Sequence, residues 1–375
     1  MEIPIIQFGT SRFLQAHVDL FVSEALGSGE ALGKIAVVQT TTSADSRRRV
    51  EAFNRLPSFP VLIRGLENGR VVDRRIEVAS VGRAFDAGSE WDAVEEVFVR
   101  QARAVVSNTG DRGYELDPAD DPGERVPRSF PAKLAKLLHA RFRHDARPLD
   151  LFPCELITGN GAVLRDTVLG VAQAWGLEAG FQAWVRERCR WPSSLVDRIV
   201  SEPLEPVGAV AEPYALWAVE ALPGLEPVCR HPAVVMTPDL ERHERLKLLI
   251  LNLGHSYLAE RWLLDGRPRG ETVVEALADA DLRAALDEVY DLEVLPVFAA
   301  LGLAGEAAAY RRTVMERFAN PFLRHRLADI AANHEAKKAR RMGALVELAR
   351  QRLPKLIQPR LAAALRSDAG GRLEP

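Results

Sequence analysis

Apolar residues follow two patterns along this chain. In the first part they form short continuous runs, "IPIIQFG", "KIAVVQTTT", "ARAVVSNTG" and "DLFPCELI", closed by glycine or polar residues. Such runs, several of them rich in β-branched residues, predict strands buried on both faces. Between them lie stretches with helical spacing, "TSRFLQAHVDLFVSEAL" and "FPAKLAKLLHARF". Strands alternating with helices predict an α/β architecture with a parallel sheet and crossover helices. One stretch departs from this: "VLIRGLENGRVVDRRIEVASVG" reads as a hairpin about the turn signal "ENG".

From about Pro238 the pattern becomes almost wholly helical, with short polar, glycine or proline breaks. Thr237-Pro238 predicts a helix start with proline in the first turn. The expected organisation is a Rossmann-type dinucleotide-binding domain over 1–236 and a mainly α-helical substrate and catalytic domain over 237–375. The tail "SDAGGRLEP" is expected to fray.

Composition narrows the class. Of the 375 residues, 47% are hydrophobic and 27% charged, as in a folded globular protein. A net charge of -3 exerts no general pull on nucleic acid or anionic membrane, and neither partner is expected. The basic stretch "EAKKARR" reads as a solvated helix face. Cys154, Cys189 and Cys229 form no CxxC pair, and no HExxH is present, so no metal site is expected and reduced cytosol fits best. Neither a leader peptide nor a membrane span is expected, because no long apolar run exists and the N-terminus enters a strand pattern at once.

Candidate chemistry begins at the first strand-to-helix turn. "FGTSRF", Phe8, Gly9, Thr10, Ser11, Arg12 and Phe13, stands where a dinucleotide fingerprint belongs, with free N–H groups of a helix start available to a pyrophosphate. Only Gly9 of the usual glycines is present, and an ordinary turn reads the same way. Gln39 and Thr40 occupy the end of the second strand, where an acid would bind ribose hydroxyls in an NAD site. Arg47, Arg48 and Arg49 follow; they fit either a 2′-phosphate contact or an exposed helix face. These residues leave the choice between NAD and NADP open. Ser107, Asn108 and Thr109 end a further strand, over which ligands of doubly wound sheets sit.

The second candidate is "RLKLLILNLGHS", residues 245–256, apolar except for Lys247, Asn252 and His255. At 100° per residue these fall at about 0°, 140° and 80° on one arc. Burial makes an unpaired lysine costly and lowers its proton affinity, as an amine base requires. An amide beside it can donate to a developing oxyanion. Taken singly, each also fits a snorkelling lysine or a backbone-satisfied histidine. Asn160, between two glycines, is expected to project freely towards a ligand. Asp197 and Arg198 form an adjacent pair of opposite charge. Arg317, Asn320 and His325 lie in one helical stretch, Arg317 being suited to a carboxylate or hydroxyls.

These segments, together with "LIRGLENGRVVD", "SFPAKLAKLLHARF" and "ERFANPFLRHRL", occur in family order over roughly residues 3–340 and resemble the mannitol dehydrogenase family of long-chain, metal-independent polyol and sugar-acid dehydrogenases, and within it the branch acting on altronate and tagaturonate. The resemblance implies an N-terminal Rossmann-type domain, a helical C-terminal domain and a site between them. It implies Lys247 as catalytic lysine, Asn160 and Asn252 as oxyanion donors, His255 on a substrate hydroxyl, and Arg317, Asn320 and His325 as substrate contacts. The family's second loop glycine is Ser11 here, and "NTG" replaces its usual "NTT".

The expected activity is oxidation of a secondary alcohol on a sugar acid, or reduction of the ketone, with NAD and without metal. An uncharged polyol is the alternative substrate. A dinucleotide-binding regulatory protein with a decayed site is the alternative of another class. The expected partner is a small molecule, in a monomer or dimer, in the cytoplasm.

Overall fold

The computed structural model describes residues 3–110 and 112–367; the tail from residue 368 lies outside. Two compact units result. The first comprises Met1–Ile63, Arg74–Ala211 and Ala215–Leu240, and the second Arg64–Asp73, Glu212–Tyr214 and Glu241–Pro375. The strands are β1 (Ile5–Phe8), β2 (Ile35–Gln39), β3 (Phe59–Glu67), β4 (Arg70–Val78), β5 (Val81–Asp86), β6 (Ala104–Ser107), β7 (Asp150–Pro153), β8 (Ser194–Asp197), β9 (Val200–Pro203), β10 (Ala209–Ala211), β11 (Leu216–Glu220) and β12 (Val234–Thr237).

Five of them form a parallel sheet in the order β5-β2-β1-β6-β7. Taken in chain order this is the doubly wound arrangement 3-2-1-4-5, whose direction of progression reverses beside β1. β1, β2 and β6 are buried along their whole length, which is why they read as continuous apolar runs. Phe8 closes β1 inside this core, its ring centroid 5.2 Å from Phe130 and 6.5 Å from Phe98. The hairpin is present as β3 and β4, with Asn68 and Gly69 at φ 53° and 72°, as a tight Asn-Gly turn demands. β3 also continues into a second sheet with β10 and β9, while β8, β11 and β12 form a third.

The helix expected after Gly9 is broken in two, Arg12–Gln15 and Val18–Gly27. The break falls at His17, which is fully buried, with Phe13 and Phe21 at ring distances of 4.7 and 4.6 Å and its Nε2 3.1 Å from the Leu216 carbonyl. Burying that ring needs a bend that helical spacing does not announce.

The second unit is mainly helical from Glu241 to Arg366, with short turns between the helices, and adds the annexed hairpin tip and residues 212–214. Its core is built on Leu249, Ile250, Leu253, Tyr290, Val297, Phe298 and Phe318 among others. The first helix starts at Leu240 rather than at Pro238, because Thr237 ends β12 and its hydroxyl accepts the Asp239 N–H at 3.1 Å. Three helical stretches contain wider π turns, Lys247–Asn252, Val289–Val294 and Ala339–Gly343. Among the described residues no helix is long and apolar enough to cross a membrane, and no cluster of three or more His, Cys, Asp or Glu side chains could hold a metal ion.

Asp19 lies fully buried in Val18–Gly27, and burial pushes its carboxyl up to about 7. Between its ordinary value near 4 and 7 the folded state holds a proton that the unfolded chain has released, so stability falls as pH rises through that window. Asp19→Asn removes this term. Its urea-derived stability relative to wild type should grow by about 2 kcal/mol between pH 5 and 7.5; parallel pH profiles for the two proteins would refute the assignment.

Candidate functional site

In the first unit the polar residues expected to meet a dinucleotide gather where the strand order reverses. Gly9 has φ 116°, and a Cβ there would stand 2.5 Å from the Asn108 carbonyl oxygen. Only glycine admits the loops after β1 and β6 so close together. Ser11 caps the short helix by accepting the Leu14 N–H at 3.4 Å, and its hydroxyl lies 3.5 Å from Asn108 Oδ1. Asn108 Nδ2 in turn donates to the Cys154 carbonyl at 2.7 Å.

The organiser of this edge is Glu155, which sequence reasoning missed. Its buried carboxylate accepts the Ser107 hydroxyl, the Thr109 N–H and the Thr109 hydroxyl, each at 3.0 Å, and the Tyr114 hydroxyl at 2.9 Å. Burial first, and the Glu155 charge second, raise the Tyr114 phenol far above its usual value, so it stays a donor. The available signal was an acid directly after the apolar run "LFPC". Ser107 and Thr109 are thus held by their side chains, and Asn108 keeps its backbone beside Gly9.

Of the three arginines after β2, Arg47 and Arg48 are exposed and Arg48 pairs with Asp45. Arg49 turns to the glycine loop, donating to the Thr10 hydroxyl at 3.2 Å and the Ser46 hydroxyl at 3.0 Å. Gln39 is buried, its amide donating to the Thr41 and Ser43 carbonyls, while Thr40 is half-buried and Arg12 exposed.

Asn160 differs from the free projection expected of it. It opens the helix Asn160–Ala174 after Gly159 at φ 65°, yet is wholly buried. Its Nδ2 faces the carbonyls of Pro153, Glu155 and Ser194 at 3.3, 3.0 and 3.0 Å, and its Oδ1 accepts the Ser194 N–H at 2.9 Å. The side chain staples the end of β7 to the start of β8. The partners lie up to 34 residues away, beyond reach of local pattern.

In the second unit, Lys247 and Asn252 are the first and last residues of a π turn, and both are half-buried. The Leu253 N–H reaches the Leu248 carbonyl, five residues back, as this wider turn requires. In an α-helix residues five apart diverge; the wider turn swings them towards one another. The arc on the 100° wheel is therefore narrower in the structure than uniform α geometry gives.

His255 follows on the next turn, buried, with Phe318 and His325 at ring distances of 4.5 and 4.8 Å. Burial, and then the charges of His325, Arg317, Arg341 and Lys337, hold the His255 ring well below the usual histidine value. Burial likewise lowers His325, whose Nδ1 has no partner among the described residues. Both rings are therefore neutral near pH 7. Arg341 donates to the Asn252 carbonyl at 3.2 Å and to the Ser256 hydroxyl at 2.9 Å.

The other two expected substrate contacts are engaged within the unit. Arg317 is buried in a two-pronged ion pair with Glu212, at 2.8 and 3.0 Å, and lies 4.4 Å from the Tyr214 ring centroid. Asn320 donates to the Arg64 carbonyl at 3.1 Å and accepts the Phe322 N–H at 3.0 Å, holding the base of the annexed hairpin tip. His325 is thus the member of that segment brought to His255.

Known proteins share this architecture. Residues 3–227 match the mannitol dehydrogenase Rossmann domain, and residues 239–365 match the mannitol dehydrogenase C-terminal domain. The altronate oxidoreductase of Bacillus subtilis (strain 168) is 31% identical, over 93% of this chain and 75% of its own length. That of Klebsiella pneumoniae (strain 342) is 32% identical, over 96% and 78%. Among solved structures, a substrate-free D-sorbitol dehydrogenase superposes with TM-score 0.82 at 22% identity, covering 97% of this chain and 79% of its own. The Pseudomonas fluorescens mannitol 2-dehydrogenase, solved with NAD and D-mannitol, gives 0.72 at 19%, with 97% and 78% covered.

The close approach at Gly9 generates a direct test. Gly9→Ala forces both a left-handed φ and a collision with the Asn108 carbonyl, and should cost about 2 kcal/mol or more. Denaturant titration checks this; a midpoint within error of wild type would show the two loops to be separable.

Proposed function

The chain belongs to the mannitol dehydrogenase family, and on that premise we propose that it interconverts a secondary alcohol and a ketone on a sugar acid of the altronate–tagaturonate type, with Lys247 as the acid–base. That it is a nicotinamide-dinucleotide-dependent polyol or sugar-acid dehydrogenase follows from the family. The observation that carries the finer reading is the π turn that Lys247 and Asn252 bracket, with a neutral His255 one turn further on.

The first unit fits a dinucleotide. The reversal of strand order, the bare backbone at Gly9 and the Ser107–Thr109 edge held by Glu155 support the crevice and the close backbone approach that a pyrophosphate needs. The residues proposed to hold it are Gly9, Thr10, Ser11, Arg12 and Phe13 at the turn, with Gln39 and Thr40, and Ser107, Asn108 and Thr109. Phe8 supports the turn from the core. NAD is the proposed cofactor; Arg49 is the group that a 2′-phosphate would meet. When bound, the nicotinamide accepts or returns the hydride.

Lys247 as a neutral amine removes the hydroxyl proton during oxidation, and as ammonium returns it to the carbonyl oxygen during reduction. The Asn252 amide donates to the oxygen as negative charge develops on it. His255, held neutral, offers one donor and one acceptor nitrogen to a neighbouring hydroxyl. Asn160, whose amide is engaged at β7 and β8, acts here as a positioning residue rather than as an oxyanion donor. The altronate oxidoreductase relatives and the cationic surroundings of His255 support an acid substrate. The commitment of Arg317 to Glu212 favours the second reading, an uncharged polyol, since it occupies the expected carboxylate anchor.

Lys247→Ala should lower turnover by about 10² to 10⁴ fold while leaving dinucleotide affinity intact. In wild type, oxidation should rise with pH and reduction fall, since the amine must be neutral in one direction and charged in the other. Assays on altronate, tagaturonate, mannitol and sorbitol with both dinucleotides measure all of this. Full turnover by Lys247→Ala would end the catalytic reading, and exclusive use of uncharged polyols would transfer the assignment to the second.

A further inference from the structure

Tyr290 is fully buried and belongs to another helix, yet its hydroxyl donates to the Ile250 carbonyl at 2.9 Å, inside the π turn between Lys247 and Asn252. An unbroken α-helix would give that carbonyl to the N–H of Gly254; here it takes the Leu253 N–H, three residues on, together with the Tyr290 hydroxyl. A side-chain group inserted into the helical ladder is a recognised cause of such local widening. The sequence makes room for it: a Cβ on Gly254 would stand 1.9 Å from the Tyr290 oxygen and 3.0 Å from the Phe318 ring. Glycine in a helix interior is otherwise unfavourable, and here it is the only residue that lets the hydroxyl in. Phe318, the other neighbour of that space, is also the ring that packs on His255. Burial raises the Tyr290 phenol above its usual value, so the group remains a donor at any working pH.

We propose that Tyr290, admitted by Gly254, is a positioning residue for the reaction: its hydroxyl holds the π turn that aligns Lys247 with Asn252. The inference rests on the catalytic reading of Lys247 given above. It assigns to a buried tyrosine, forty residues away from the carbonyl it holds, the spacing between the acid–base and the oxyanion donor. Without the hydroxyl the stretch relaxes towards α geometry, and residues 247 and 252 diverge.

Tyr290→Phe removes the hydroxyl and nothing else. We expect kcat to fall tenfold or more, the deuterium isotope effect on alcohol oxidation to change, and the pH midpoint of kcat to move, with dinucleotide Kd unchanged. A merely structural tyrosine would leave isotope effect and pH midpoint where they were, with activity following the folded fraction, and that result would overturn the proposal. Gly254→Ala provides the second arm. Adding Tyr290→Phe to it relieves the worst contact, so Tm should recover in the double variant while kcat stays low. Recovery of kcat together with Tm would also overturn the proposal. Lys247→Ala in the same assay separates the two ideas. Full turnover there removes the catalytic lysine itself, whereas loss there with none in Tyr290→Phe removes the clamp alone.

Discussion

The hydrogen bond from Tyr290 to the Ile250 carbonyl is the contact on which the arrangement of the second unit's polar residues turns. A helix that is apolar on nearly every side places its few polar residues by angle alone. One extra residue in a turn resets all the angles beyond it. The structure sets that residue between Lys247 and Asn252, where the Ile250 carbonyl accepts the Leu253 N–H together with the buried Tyr290 hydroxyl. Hydrogen bonds to buried carbonyls contribute modestly when made and cost more when missing, so a second, buried donor at Ile250 favours the widened turn.

The first unit meets a comparable demand by different means. Its polar edge is held by a buried carboxylate, Glu155, which satisfies four donors from the segment around Ser107, Thr109 and Tyr114. Asn160 and Gly161 close the neighbouring corner: the amide is engaged by backbone groups, and a Cβ at Gly161 would lie 2.3 Å from the Trp191 carbonyl. Glycines and amides that looked like ligand contacts are in part the means by which loops approach one another. A rigid edge is itself what a dinucleotide site requires, because its backbone donors must not reorganise on binding.

The sequence gives up the elements more readily than their interruptions. Alternating runs and spacings foretold the parallel sheet, the Asn68–Gly69 hairpin and the helical second unit, because burial on both faces and on one stripe leave different periods. The break at His17 was hidden, since helical spacing continues through it. The π turn was hidden for a related reason: a wheel assumes one angle per residue, and the departure depends on Tyr290, far along the chain. Arg317 and Asn320 carried the right chemistry for substrate, but Glu212 and the Arg64 carbonyl claim them in the fold. Partners so distant in sequence are invisible to any local reading. His255 and His325 were each named as substrate contacts, and the fold brings their rings to 4.8 Å, a pairing that the sequence did not announce.

In the proposed reaction the amine of Lys247 moves the proton. Chemical rescue tests it most directly: Lys247→Ala supplied with exogenous primary amines in the presence of substrate and dinucleotide. Small amines should restore turnover in proportion to their free-base concentration during oxidation, with a rate that varies with amine basicity. Absence of rescue by every amine small enough to occupy the vacated side-chain volume, in a variant that still binds dinucleotide and substrate, would contradict it.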